Sequence, residues 1–125
     1  MKTTLNSIIL FVHNINNLKN FYMSNLGLEL VEETASEWVL LKAGSCELGL
    51  HKIGAKYAPA ATGENSNSKI VFDIDEDIFA VYEQLTAKGV LLTEIKTWDN
   101  YNYRVCDGKD PEGNVFQLRV KKLIS

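Results

Sequence analysis

The sequence has little of what marks a specialised class of protein. Its 125 residues include only two cysteines and two prolines. Cys46 and Cys106 stand far apart, with no CxxC or Cys/His spacing around them, so zinc-finger and thioredoxin patterns are excluded. Two reduced, buried thiols in a cytosolic protein are expected instead. The longest uninterrupted aliphatic or aromatic run, Ile8 to Val12, falls far short of the roughly 20 residues that a bilayer crossing needs. Neither a signal peptide nor a lipid anchor can be read at either end, and a cytoplasmic location is the expectation. A basic patch is also missing. Lys and Arg number 13 against 16 Asp and Glu, a formal charge of -3, and nothing gathers the cations that a phosphate backbone attracts. Nucleic acid and membrane are thus not expected partners.

What is present is the composition of one ordinary domain. Hydrophobic residues make up 46% and aromatics 10%. A domain of this size buries roughly two thirds of its unfolded surface, so it folds without a metal or a cross-link. Any metal would therefore serve chemistry.

Periodicity predicts the same order of elements twice. Leu5 to Val12 reads as a strand buried on both faces. A helix follows, capped by Asn14, with Ile15, Leu18, Phe21, Tyr22 and Leu26 at helical spacing and Gly27 as its stop. Leu28 to Glu33, Glu37 to Lys42 and Cys46 to Lys52 read as strands, the last two joined by a tight hairpin across Ala43-Gly44. Residues 54–67, with Gly54, Pro59, Gly63 and an Asn/Ser-rich run, read as a linker between a module of residues 1–53 and one of residues 68–125. In the second module Ser68 to Ile74 is a strand, and Asp75 or Asp77 caps a helix carrying Ile78, Val81, Tyr82 and Leu85 before Gly89. Strands at Leu91 to Lys96, Tyr101 to Cys106 and Asn114 to Lys121 complete it. The result is an α+β fold of two βαβββ modules within a single domain of residues 1–125.

Side chains alternate across a strand, which sorts each strand into two sets. Ile8, Leu10 and Val12, Cys46, Leu48 and Leu50, Ile70, Phe72 and Ile74, and Phe116, Leu118 and Val120 form apolar sets suited to packing beneath the helices. The opposite sets are mixed: Ser7, Ile9 and Phe11; Glu47, Gly49 and His51; Lys69, Val71 and Asp73; Val115, Gln117 and Arg119. A dry interior would not tolerate Glu47, Lys69 and Arg119, since each unpaired buried charge costs several kcal/mol. The mixed faces are therefore expected to line a cleft open to water or a ligand.

On these residues the chain resembles the vicinal oxygen chelate superfamily. The resemblance rests on the duplicated βαβββ order, on Phe21-Tyr22 and Leu26-Gly27 at the first helix, and on Asp110-Pro111-Glu112-Gly113-Asn114 before the last strand. Arg104, six residues before that turn, matches it too. The superfamily includes glyoxalase I, extradiol dioxygenases, fosfomycin-resistance transferases and bleomycin-resistance proteins. The resemblance implies two modules forming a cleft, and a homodimer. Metal-using members carry ligands, usually two His and one or two Glu, on the first and fourth strands of each half. Those positions fall here on Ser7, Glu47, Lys69 and Gln117. Only Glu47 keeps a ligand of the usual kind, because a charged lysine has no lone pair and hydroxyl and amide oxygens are weak donors. No metal and no other cofactor is expected.

The expected site is a ligand-binding cleft lined by Ser7, Phe11, Trp38, Glu47, His51, Lys69, Trp98, Tyr101, Tyr103, Arg104 and Gln117. Lys69 and Glu47 are expected to pair across it, with the ammonium able to receive an anionic or carbonyl group. Trp98, Tyr101 and Tyr103, with Trp38 and Phe11, offer flat stacking surfaces. His51 lies too far along its strand from Glu47 to share an ion with it, about 13 Å. Arg104 either pairs with Asp107 or Glu112 or points into the cleft. The functional expectation is metal-independent binding of a small organic ligand, resembling bleomycin-resistance sequestration. The alternatives are a lyase, isomerase, transferase or dioxygenase relative with a weak metal site through Glu47 and Gln117, or with Lys69 and Glu47 as acid and base, and a regulatory module whose cleft has lost its ligand.

Overall fold

Ten elements follow from the two repeats in the computed structural model, which describes residues 2, 5–54 and 68–123. The first unit, Met1–Thr62, holds β1 (Ser7–Val12), α1 (Ile15–Leu26), β2 (Glu29–Thr34), β3 (Trp38–Ala43) and β4 (Cys46–Lys52). The second, Gly63–Ser125, holds β5 (Ile70–Asp73), α2 (Ile78–Ala87), β6 (Leu91–Leu92), β7 (Tyr103–Lys109) and β8 (Val115–Lys121). Each forms a four-stranded mixed sheet, ordered β1-β4-β3-β2 and β5-β8-β7-β6. In both, the strand before the helix pairs in parallel with the last strand of the unit, and the remaining pairs are antiparallel. The expected linker, from Ala55 to Asn67, lies outside the described residues.

Caps and stops fall where side-chain chemistry puts them. Asn14 Oδ1 accepts from the Asn17 amide at 3.0 Å and opens α1. Gly27 closes it at φ 71°, and the amides of Gly27 and Leu28 both donate to the Tyr22 carbonyl. Leu28, read from sequence as strand, thus belongs to the helix stop. Asp77, of the two candidate caps, accepts from the Phe79 amide at 3.1 Å and starts α2.

Each helix covers one face of its own sheet. Ile15, Leu18 and Tyr22 of α1 are buried together with Val12, Val39, Leu41, Leu48 and Leu50 of the sheet. In the second unit Ile78 and Leu85 of α2 share the buried set with Cys106, Phe116 and Leu118. Fully burying a side chain of this size contributes roughly 1.5–3 kcal/mol, and these sets are the source of each unit's stability. The opposite face of β1 is open: Ile9 is 46% and Phe11 59% exposed. The first strand is therefore buried on one face only, contrary to the reading of its continuous apolar run, because a run of hydrophobic letters does not report how many layers cover it.

Three boundaries differ from the sequence reading for local reasons. The β3–β4 turn is Gly44-Ser45, with Gly44 at φ 66°, because Ala43 still pairs with Cys46. β6 stops after Leu92, since the Thr93 hydroxyl accepts from the Asp107 amide at 3.1 Å and takes over a ladder position. β7 begins at Tyr103 and runs to Lys109, because Tyr101 is held in a turn by its amide bond to the Trp98 carbonyl. Both cysteines are free; Cys106 is buried, as expected, while Cys46 is only half-buried. Burial, with the Asp107 charge beside it, pushes the Cys106 thiol up to about 11.

The turn between β7 and β8 is organised by Asp110, which is only 4% exposed. Its Oδ1 accepts from the amides of Glu112 and Asn114, both at 2.9 Å, and its Oδ2 accepts from Asn114 Nδ2 at 2.8 Å. Gly113 supplies the positive φ of 82° that closes the loop. The Asp-Pro-Glu-Gly-Asn motif is thus a carboxylate-centred hairpin. Replacing Asp110→Ala leaves several half-buried donors without their acceptor and is expected to cost about 1–3 kcal/mol, read as a lower urea midpoint.

Candidate functional site

The face of each sheet that its helix leaves uncovered carries the polar and aromatic residues. On the first sheet, Ser7 of β1 pairs in register with Glu47 of β4, and Glu47 in turn with Lys42 of β3. Four residues further along, Phe11, His51 and Trp38 lie side by side on β1, β4 and β3. The His51 ring is 5.4 Å from that of Phe11 and 6.0 Å from that of Trp38, so the three form a row of rings. Two hydrogen bonds fix the row: His51 Nδ1 lies 2.8 Å from the Lys52 carbonyl, and Trp38 Nε1 donates to Glu32 at 2.9 Å. A donor at Nδ1 leaves Nε2 of a neutral His51 as the acceptor nitrogen. The benzo edge of the indole, Cη2 and Cζ3, lies against Gly49, where a Cβ would run into it. The variant Gly49→Ala is expected to displace the Trp38 ring, changing its emission spectrum and costing about 1–3 kcal/mol.

On the second sheet the polar residues form two hydrogen-bonded groups. Asp107 of β7 stands opposite Gln117 of β8. Its Oδ2 receives the Lys69 ammonium at 2.7 Å and its Oδ1 receives Gln117 Nε2 at 2.9 Å. Burial alone would raise the Asp107 carboxyl; the hydrogen bonds from Lys69 and Gln117, with the charges of Lys69 and Lys96, outweigh it and hold it below the usual carboxylate range. Two residues along β8, Arg119 grips Asp73 of β5 with both ends, Nε to Oδ1 at 2.6 Å and Nη2 to Oδ2 at 3.0 Å. That bond holds Asp73 below its ordinary value as well. The Arg119 guanidinium lies 4.0 Å from the Tyr103 ring centre, and Tyr103, Tyr101 and Trp98 follow in a chain with centroid spacings of 5.6 and 5.4 Å.

Two expectations about this site are corrected. The partner of Lys69 is Asp107 of its own sheet, in place of Glu47, because β7 runs far enough to set Asp107 opposite Gln117. Arg104 is not on the polar face: alternation along β7 turns it to the helix side, where its guanidinium sits over the Phe79 ring of α2 at 5.5 Å. Asp107, Asp73 and Arg119 are the residues missed as a site. Arg119 and Asp73 were legible as a cation and an anion on mixed faces, and Asp107 was hidden because the strand was read as ending at Cys106, three residues short of its observed end.

A family model described as the Glyoxalase/Bleomycin resistance protein/Dioxygenase superfamily matches residues 4–118. The chain belongs to this superfamily. No curated protein matches the sequence. Solved structures with the same fold include the fosfomycin resistance protein FosX from Listeria monocytogenes, at TM-score 0.79 and 17% identity, covering 98% of this chain and 97% of that one. They also include TnmS3, an antibiotic binding protein from Streptomyces sp. CB03234, at 0.75 and 20%, covering 97% and 98%. Lactoylglutathione lyase from Agrobacterium tumefaciens is a third, at 0.73 and 18%, covering 95% and 94%. At these identities the likeness establishes the fold alone.

Within the superfamily fold, the four positions that the resemblance assigns to metal ligands occur as two pairs, one per unit. Ser7 and Glu47 are register partners, and Lys69 and Gln117 are both bound to Asp107. This donor set does not fit a transition ion. An ammonium brings positive charge and no lone pair, Gln117 offers only a neutral amide oxygen, and serine is a weak ligand. Among the described residues, no group of three or more His, Cys, Asp and Glu gathers as a metal would require. No helix of the described residues is long and apolar enough to cross a membrane.

The sign of the Asp107 shift sets a pH dependence. A carboxyl held below its unfolded value of about 3.9 stabilises the fold fully at neutral pH, and loses that contribution as pH falls through the folded value. Asp107→Asn is expected to be less stable than the parent at about pH 7 and to lose less stability between about pH 5 and about pH 2, measured by urea midpoints.

Proposed function

We propose that this protein binds a small organic molecule without a metal, in the sequestering manner of bleomycin-resistance proteins, as a homodimer in the cytoplasm. The observation that carries this reading is the Lys69–Asp107–Gln117 group. At two positions where metal-using relatives place ligands, this chain has a cation and an amide already tied to a carboxylate. Such a group orients ligand dipoles and charges, and it offers no vacant coordination. The residues we assign to binding are Ser7, Phe11, Trp38, Glu47 and His51 on the first sheet and Lys69, Trp98, Tyr101, Tyr103 and Gln117 on the second.

The exposed rings support the reading. Phe11 is 59% and Trp98 57% exposed, a costly arrangement for monocyclic and indole rings unless something flat covers them in use. That TnmS3, which shares the fold, is an antibiotic binding protein makes a sequestering role a natural one for this scaffold.

Two measurements test it. Protein incubated with Zn²⁺, Ni²⁺, Mn²⁺ or Fe²⁺ and then desalted is expected to retain far less than one ion per chain by elemental analysis. Titration with metal-free bleomycin is expected to change the fluorescence of Trp38 and Trp98. Near-equimolar retention of one metal would overturn the metal-free reading in favour of an enzyme of the lyase, isomerase or dioxygenase kind. Sedimentation at twice the mass of the chain is the expected result for the dimer.

A further inference from the structure

The uncovered face of the first sheet is apolar across its middle. Ile9 of β1, Gly49 of β4 and Leu40 of β3 are register partners, so they form one row across three strands, about 10 Å from end to end. Gly49 contributes no side chain. The benzo edge of Trp38 occupies the space above it, with Ile9 Cγ1 on the other side. The row is therefore a hydrocarbon strip made of Ile9, the indole edge and Leu40. It is bare at one end, where Ile9 is 46% exposed, and covering such surface is favourable.

One row further along the strands, about 7 Å away, the surface turns polar and acidic. Ser7, Glu47, Lys42 and Glu29 are successive register partners there, and Glu32 stands beside Leu40 on the middle row. Partners across a ladder share a face, so Glu29, Glu32 and Glu47 accompany Lys42, an excess of negative charge among the described residues. Glu32 is already committed, accepting from Trp38 Nε1 at 2.9 Å. Glu33, on the helix side, is taken by Lys19 of α1 at 2.8 Å. The Glu47 carboxylate accepts no hydrogen bond and forms no ion pair among the described residues, although Lys42 is its cross-strand neighbour. A half-buried carboxylate with all of its acceptor capacity unused thus borders the strip.

We propose that this face binds a protonated amine with an apolar body, its hydrocarbon laid along the strip of Ile9, Trp38 and Leu40 and its ammonium donating to Glu47. The proposal rests on the metal-free binding reading and adds the class of ligand and the sheet that selects it. One row separates strip from carboxylate, so a chain of a few methylenes spans the two. An ammonium brings donors to a carboxylate that has none, and a charge-assisted bond is about twice as strong as a neutral one. A neutral molecule of the same shape gains the apolar contact alone. An anion of that shape meets three carboxylates against one ammonium, and like charge opposes it.

The test is calorimetric titration with three probes of nearly the same shape: phenylbutylamine, phenylbutanol and phenylbutanoate. The amine is expected to bind about tenfold more tightly than the alcohol and the acid more weakly than either, with the advantage of the amine shrinking as salt is raised. Glu47→Gln, which keeps the size of the side chain and one carbonyl oxygen, is expected to abolish the amine preference and leave alcohol binding unchanged. Ile9→Ser is expected to weaken amine and alcohol alike and to keep their ratio. Equal affinities for amine and alcohol, no binding of any probe, or an undiminished preference in Glu47→Gln would overturn the proposal. Should either variant fail to fold by circular dichroism, the order of the three probes in the parent chain and its salt dependence decide the matter. Bleomycin binding without an amine preference would sink the amine assignment and spare the metal-free reading. An amine preference that Glu47→Gln removes, in a chain that retains a stoichiometric metal, would do the reverse.

Discussion

Everything in this protein follows from a strand having two sides and each helix being able to cover only one of them. A twelve-residue helix such as α1 buries Ile15, Leu18 and Tyr22 against Val39, Leu41, Leu48 and Leu50, and that exhausts its apolar stripe. The other side of the same strands must be made tolerable by other means. The chain does it with side chains that are satisfied in place: rings set edge to face, carboxylates engaged at both oxygens, and an indole lying on a glycine. Removing charge from water costs several kcal/mol unless partners are supplied, and on the second sheet Asp73 supplies one to Arg119 and Asp107 one to Lys69.

The exchange of metal ligands for an ion-paired group changes what the scaffold can do. A metal site concentrates charge at a point and leaves a coordination position open. Lys69, Asp107 and Gln117 spread nearly balanced charge over a small surface, in which the ammonium retains donors and the carboxylate retains lone pairs. Such a surface can orient a dipole or a charge set against it. It offers no means of polarising a bond as strongly as a divalent ion does, which is why the same fold can serve binders and catalysts.

The superfamily turn illustrates how a motif can be structural and diagnostic at once. Asp110 holds the β7–β8 hairpin through its carboxylate, and the hairpin sets the register that brings Asp107 opposite Gln117. A slip of one residue there would send Asp107 to the α2 side and Arg104 to the other. The polar group thus depends on a turn that touches no ligand.

Much of this was legible in the letters. The repeated order of elements, Asn14 and Gly27 bounding α1, the apolar sets and the mixed sets of β4, β5 and β8 are all local matters of capping and period-two alternation, which neighbouring residues decide by themselves. The pairing of charges was not local. Glu47 and Asp107 both carry the sign that suits Lys69, and Arg104 was read as free to take either face; the choice turned on how far β7 runs and how it registers against β8, which the Asp110 hairpin sets. Amino-acid order by itself determined the elements, their caps and which residue types share a face. Tertiary structure alone decided which of those residues meet, because a salt bridge needs its two atoms within a few ångströms, and only strand register sets that distance.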